Sequence, residues 1–577
     1  MKLILHFLKP YKRLCLFTLV TMILDVAGGL LIPTITAGMI NTGVAGGDLN
    51  QIIQDGIFML AVALLTSAGA LAGSWCCASL SAKMGRDIRN RLYEHSLAFS
   101  SHDFGEFGTG SMITRTLNDI NIIQQSFVWC IQMVLPVPVI CIMGIVMAFS
   151  LDTQMGFLMI ASTLIIILLA VLVTRKASAI FERLQKLLDR MNVILRENLT
   201  GVRVIRAFHK EPHEEKRMRK SFEDYAETAI RANRLFAGLE SVAMLIINLC
   251  CVAILWFGGN RVGAGFMEIG DITALTQYAI LILFYIVMAQ MVLILLPRAR
   301  TCTRRVQEVL SRQPEISDRS NILAKSREKQ QEIIQFNHVT FRFADAEEDS
   351  LHDISFSCNK GETTAIIGST GSGKSTIAKL MLRFHEVTSG FILFNGTDIR
   401  EVSQQSLRDR IAYVPQKAWL FSGTVADNLR YGQEDASPSE MEAALAVAQA
   451  DFALELPYGL NAPVSQGGTN FSGGQKQRLS IARALMKKAD LYIFDDSFSA
   501  LDFKTDAALR KALIKETKDA AVFIIAQRIN TILNAHQIIV LEDGRIVGTG
   551  THDFLMKNCP VYQDIAKSQM KGDDTLG

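Results

Sequence analysis

Apolar residues are not spread evenly along the chain. Between residues 1 and about 300 they gather into six long runs, at about 14–38, 56–80, 127–149, 154–174, 237–258 and 272–296. Each run is close to the ~20 residues that a helix needs to cross ~30 Å of hydrocarbon. Lipid offers no partner to a bare backbone amide, so such runs must fold as helices. From about 333 onward the pattern changes. Short β-rich runs ("IIQFNHVTFRF", "TTAIIG", "RIAYVPQ", "LYIFDD", "AVFIIAQ", "QIIVLEDGRIV") alternate there with helical ones. That is the pattern of an α/β domain with a mostly parallel core sheet. Between the two regions, "SRQPEISDRSNILAKSREKQQE" is polar and contains Pro314. The predicted organisation is a six-span helical domain over 1–309, a linker over 310–332, an α/β domain over 333–567 and a tail over 568–577.

The polar stretches between the runs set the orientation. The segment between spans two and three contains Lys83, Arg86, Arg89, Arg91 and Arg115. The segment between spans four and five is richer still, from Arg175 and Lys176 to Arg231 and Arg234. The opposite loops carry only Arg261. Positive loops stay on the inner side, so both termini, the two long loops and the α/β domain are expected in the cytoplasm. Within the long loops, "FERLQKLLDRMNVILRENLTGVRVIRAF" repeats apolar positions every three or four residues. Spans two to five are therefore expected to continue as helices well beyond the bilayer.

Composition agrees with a membrane protein. The chain is 49% hydrophobic and only 20% charged, too apolar for an ordinary soluble enzyme. A net charge of +3 says little about nucleic acid, and it is the six spans that exclude a soluble protein acting on DNA, so no nucleic-acid partner is expected. Of the ten cysteines most lie in or beside apolar stretches with no C-x-x-C pair, as packing residues do.

One stretch carries specific chemistry. In "TTAIIGSTGSGKSTIAKLML", Gly368, Ser369, Thr370, Gly371, Ser372, Gly373, Lys374, Ser375 and Thr376 fit the phosphate-binding loop G-x-x-x-x-G-K-[ST], after a strand and opening a helix. Glycines let the loop turn its N–H groups inward, and the helix N-terminus adds positive potential. Lys374 should reach the β- and γ-phosphates of ATP and Ser375 should ligate Mg²⁺.

With this loop, Phe343 in "VTFRF", Gln416 in "YVPQ", "FSGGQKQR" at 471–478, "LYIFDD" at 491–496 and "SALD" at 499–502 stand in the order seen in ABC ATPases. The whole chain resembles an ABC exporter half-transporter, a six-span domain fused to a P-loop nucleotide-binding domain in the type IV architecture. The resemblance implies that Phe343 stacks on adenine. It implies that Gln416 and Asp495 join Ser375 around Mg²⁺. It implies that Ser472, Gly473, Gly474 and Gln475 face the nucleotide held by the other subunit, so that the fold needs a dimer. Short helices near 101–110 and 207–216 are implied to dock on the nucleotide domains.

Two positions depart from the family pattern. Asp496 stands where a general-base glutamate is expected, and Gln527 where histidine is usual. Aspartate is one methylene shorter, and glutamine cannot become cationic. The signature "FSGGQ" is undamaged. This combination resembles the degenerate subunit of bacterial heterodimeric multidrug exporters. The implied function is ATP-driven export of hydrophobic or amphipathic small molecules with a second half-transporter as partner, this chain's own site binding ATP and hydrolysing it slowly. A homodimeric exporter, or a nucleotide-sensing regulatory or channel-like subunit, is the alternative. In the first span, Asp25 is a candidate to contact substrate, to bond a neighbouring helix, or to sit near a wet interface.

Overall fold

The structure, a computed structural model, describes residues 2–318 and 331–573. Most of the predicted linker, residues 319–330, lies outside the described residues. The chain separates into two compact units, Met1–Ala98 with Phe107–Gln313, and Phe99–Glu106 with Pro314–Gly577.

The first unit is all helix. Among the described residues, six helices are long and apolar enough to cross a membrane, within Leu3–Val44, Leu49–Leu97, Thr109–Leu151, Thr153–Leu172, Ser241–Gly263 and Ile269–Gln290. Helices that run past any bilayer include Leu49–Leu97, Thr109–Leu151, Thr153–Thr200, Glu211–Gly263 and Ile269–Ser311. At 1.5 Å per residue they are roughly 65–80 Å long. The extension expected for spans two to five is present on all four, span three lying in Thr109–Leu151, and span six extends as well.

Caps fix the outer turns. Asp48 accepts from the N–H groups of Asn50 and Gln51, and Asp152 from those of Gln154 and Met155. Each such cap is worth about 1 kcal/mol. Asp152 also accepts from Arg261 Nε at 3.0 Å, so the basic residue of the outer loops is paired rather than free. Spans one and six are joined by Asn41 Nδ2 donating to Asp271 Oδ1 at 3.1 Å, and by Thr34 and Tyr278 hydroxyls 2.6 Å apart. Gln290 donates to Ala170 O at 3.3 Å, an interhelical bond from a buried span residue.

One expected tip helix is placed differently. Between spans four and five the short helix is Val202–Ala207, and residues 211–216 already open the next long helix. Gly201 ends the preceding helix, and Pro212 sits in the first turn of the new one, where its missing N–H costs nothing. The other tip does form a helix, Ser101–Phe107. Its Asp103 is fully buried and accepts from the N–H groups of Ser100 and Glu315.

The second unit is built on two sheets. Glu332–Phe341 lies between Leu351–Asn359 and Ser389–Phe394 in an antiparallel sheet. The larger sheet has six strands in the order Arg545–Gly550, Gln537–Glu542, Thr363–Gly368, Ala521–Ile525, Leu491–Asp495, Ile411–Val414. All neighbours are parallel except the Arg545–Gly550 edge. Both faces are buried. Ile366, Ile493, Phe523 and Leu541 pack into one core, and Ala365, Phe494, Ile524 and Val540 into the other. Burial on both faces is why these strands read as continuous apolar runs. The last helix, Pro560–Asp573, runs into the stretch read as a tail, because Tyr562 and Ala566 are buried in the second of these cores.

Candidate nucleotide site

Register brings the sequence motifs to one edge. Ile525 lies opposite Asp495 and Ile366, and Phe494 opposite Val414. The loops after Gly368, Val414, Asp495 and Ile525 therefore all leave the carboxyl ends of parallel strands. That edge is where open α/β sheets bind ligands.

The phosphate loop has the backbone its glycines predict. Gly371 and Gly373 take φ of +89° and +98°, open to glycine and strained for other residues. A Cβ on Gly373 would also lie 2.7 Å from Leu351 Cδ2. Helix Lys374–Met381 starts directly after it. Lys374 Nζ donates to the carbonyls of Ser369 (2.6 Å) and Gly368 (3.0 Å), so the cation sits over the loop. Burial pulls the Lys374 pKa down, and the nearby Asp496 and Asp495 partly restore it.

Ser375 Oγ donates to Asp495 Oδ1 at 2.9 Å. Tyr413 OH donates to the other oxygen at 3.3 Å. Burial pushes the Asp495 carboxyl up, and the Ser375 and Tyr413 bonds oppose it. A hydroxyl beside one carboxylate suits Mg²⁺, which takes few protein ligands and completes its shell with phosphates and water. Among the described residues no group of three or more His, Cys, Asp or Glu side chains is placed to hold a metal by itself.

Asp496 follows at once, with φ +47°, in the left-handed region. Its N–H is fixed on Ile525 O at 2.9 Å. Its carboxylate accepts from Gln416 Nε2 at 3.2 Å. Burial raises its pKa; donors on Gln416 and Ser499 and the charge of Arg528 work against that. Gln416 thus lies beside Asp496, and its recorded bond is to Asp496 rather than Asp495.

Phe343 is half-buried and packs edge-on to Phe341 and His385, with centroids 4.8 and 5.5 Å away. Gln527 is exposed just beyond the Ala521–Ile525 strand, and its carbonyl accepts from Gln569 Nε2 at 2.7 Å. Ser472 caps helix Gly473–Leu485 in a capping box with Gln475. Ser472 and Gly473 are exposed, and a Cβ on Gly473 would meet nothing within 4 Å. Among the described residues no recorded hydrogen bond joins Ser472, Gly473, Gly474 or Gln475 to the phosphate loop or to Asp495 and Asp496. Asp25, half-buried in helix Lys12–Gly38, makes no recorded hydrogen bond or ion pair among the described residues.

Two residues at this edge were not singled out from the sequence. Tyr413 precedes Gln416 in "YVPQ" and was visible only as a strand residue. Gln569 carries no local signal, because its partners lie some forty positions earlier.

Comparison with known proteins agrees with this geometry. Residues 15–287 match the ABC transporter transmembrane region, and residues 351–499 match the ABC transporter family. An ABC transporter ATP-binding protein of Mycobacterium tuberculosis (strain H37Rv) is 37% identical over 565 residues, covering 97% of both chains. An ATP-dependent lipid A-core flippase of Syntrophus aciditrophicus is 32% identical over 491 residues, covering 84% of this chain and 80% of its own. The solved structure of a bacterial Atm1-family ABC exporter with ATP bound superimposes with a TM-score of 0.82 at 24% identity, over 97% of this chain and 98% of that one. The chain belongs to the ABC transporter family, as a multi-pass membrane half-transporter whose ATPase domain binds ATP with Mg²⁺ and couples its hydrolysis to transport.

Proposed function

We propose that this half-transporter works beside a second, different half-transporter, and that its own ATP site is the slow one of the pair. The observation that carries the reading is Asp496. It occupies the position of the general base at the edge of the sheet, and its carboxylate already accepts from Gln416. A base one methylene shorter falls about 1.5 Å short, and a displacement of about 1 Å can cost ~10²-fold in rate. Gln527, at the end of the neighbouring strand, can donate a hydrogen bond to a γ-phosphate and carries no positive charge for the transition state.

The residues that would bind ATP are unimpaired. Phe343 offers a ring to adenine, and residues 368–376 and Lys374 offer donors to the phosphates. Ser375 and Asp495 would hold Mg²⁺ with Gln416 close by; bound there, the cation neutralises phosphate charge. At the start of helix Gly473–Leu485 the exposed Gly473 has no neighbour within 4 Å of a Cβ, so that end, beside its Ser472–Gln475 capping box, has room to face an anion on another subunit. The chain therefore keeps what a partner's site needs while its own site lacks reach and charge.

The transported class we propose is hydrophobic or amphipathic, moved out of the cytoplasm or the inner leaflet. A relative named as a lipid A-core flippase supports it. Asp25 is the proposed polar contact for a cationic head, since an unpaired carboxylate in a span is costly unless it meets protein, water or ligand. The test is vectorial transport in vesicles containing this chain and a candidate partner. ATP-dependent uptake of amphiphiles that needs both chains is expected; nucleotide-dependent leak with no accumulation would favour a channel-like role instead.

A further inference from the structure

We infer that Gln569, on the last helix of the chain, is a positioning residue that holds the loop carrying Gln527; the inference rests on the reading of Gln527 as a neighbour of the γ-phosphate. Gln569 Nε2 donates to Gln527 O at 2.7 Å, and Gln569 Oε1 accepts from Ile529 N at 2.8 Å. One carboxamide thus uses its donor and its acceptor on a single loop. The groups it holds belong to the two peptide planes that flank Arg528. Fixing both leaves the backbone of residues 527–529 little freedom, and this sets where the exposed Gln527 side chain points.

The holder is itself anchored. Tyr562 and Ala566 lie on the same face of helix Pro560–Asp573 as Gln569, spaced by three and four residues, and both are almost fully buried. Tyr562 OH lies 2.8 Å from His552 Nδ1. The far end of the loop is held separately. Arg510 Nη1 donates to Asn530 O at 2.8 Å and Thr531 O at 3.3 Å, while Arg510 Nη2 pairs with Asp506 at 3.0 Å. Arg510 and Asp506 stand on helix Phe503–Glu516, which Asp502 of "SALD" caps. The loop is therefore clamped between that helix and the last helix of the chain. The C-terminal helix is part of the ATP site's support rather than a passive end.

The experiment uses the purified full-length chain in nanodiscs, with single-turnover hydrolysis of bound ATP and titration of a fluorescent ATP analogue. Gln569→Leu keeps the bulk and removes both hydrogen bonds. The expected result is about a three- to tenfold slower single turnover, the scale of losing one or two hydrogen bonds, with the analogue's Kd unchanged. Gln569→Glu keeps an acceptor for Ile529 and loses the donor to Gln527, so its rate should fall between. In a Gln527→Ala background, Gln569→Leu should add nothing, because the residue it positions is gone. An unchanged rate in Gln569→Leu, an equal further loss in the Gln527→Ala background, or a parallel loss of nucleotide affinity would each overturn the inference. If Gln527→Ala itself leaves the rate unchanged, the reading of Gln527 falls, and this inference with it. If Gln527→Ala slows turnover and Gln569→Leu does not, only the inference about Gln569 falls.

Discussion

The phosphate loop and the signature helix, at separate places in the nucleotide domain, keep the family pattern, whereas Asp496 and Gln527 depart from it; in the proposed reading the two sets have fared differently. In the first, every side chain or backbone feature that ATP binding asks for is present, down to positive φ at Gly371 and Gly373. The second sits on the sheet edge that also carries the phosphate loop, and in the proposed reading it lacks a methylene at one position and a cation at the other. Binding a polyphosphate needs many N–H donors and one lysine, none of which must be placed to a fraction of an ångström. Activating water needs one carboxylate at the right distance. On this reading a chain can lose speed and keep affinity through two substitutions, while exposed Gly473 at the start of helix Gly473–Leu485 is left to serve another subunit.

The largest effect should come from that helix. In the proposed heterodimer, Gly473→Asp would put a bulky negative side chain where N–H groups are proposed to face the partner's γ-phosphate. Near-complete loss of steady-state ATPase is expected, with nucleotide binding by this chain retained; a loss no larger than that of Gln527→Ala would erase the distinction between the two regions. Next is Lys374→Ala, which removes the loop's cation. At least a tenfold weaker affinity of this chain for ATP is expected, the scale of losing hydrogen bonds to a charged group; binding titration checks it.

The second region should respond in the opposite direction. Asp496→Glu restores reach and should speed single-turnover hydrolysis at this chain's site by up to about a hundredfold. Asp496→Asn should lower total heterodimer turnover only slightly, and abolition of turnover would make Asp496 the main base. The residual activity of the wild-type site should also depend on pH. Burial raises the Asp496 pKa, so the ionised base should be lost at a higher pH than for an ordinary aspartate as the medium is acidified. An Asp496→Asn chain should show a flatter acid limb in a pH–rate profile. The smallest expected change is Gln527→Ala in the heterodimer's steady-state rate, since a neutral contact at the slow site hardly limits the cycle.

Legibility followed the range of the signal. The six spans could be read because each is a contiguous apolar run, and the parallel strands because burial on both faces leaves them uniformly apolar. The phosphate loop could be read because all its groups lie within nine consecutive residues. The tip between spans four and five was set one turn too late, since Gly201 and Pro212 act together and periodicity alone places neither. Tyr413 and Gln569 could not be read as site residues. They reach Asp495 and the Gln527 loop only through the registry of strands and the docking of the last helix, which no local pattern encodes.

The central claim is that this chain binds ATP and barely hydrolyses it alone. The direct measurement is steady-state ATP turnover of the purified chain without a partner, with ATP binding titrated on the same sample. The account predicts saturable ATP binding, turnover well below the ~1–10³ s⁻¹ common among enzymes, and a large rise on adding the partner half-transporter. Brisk turnover by this chain alone would contradict it.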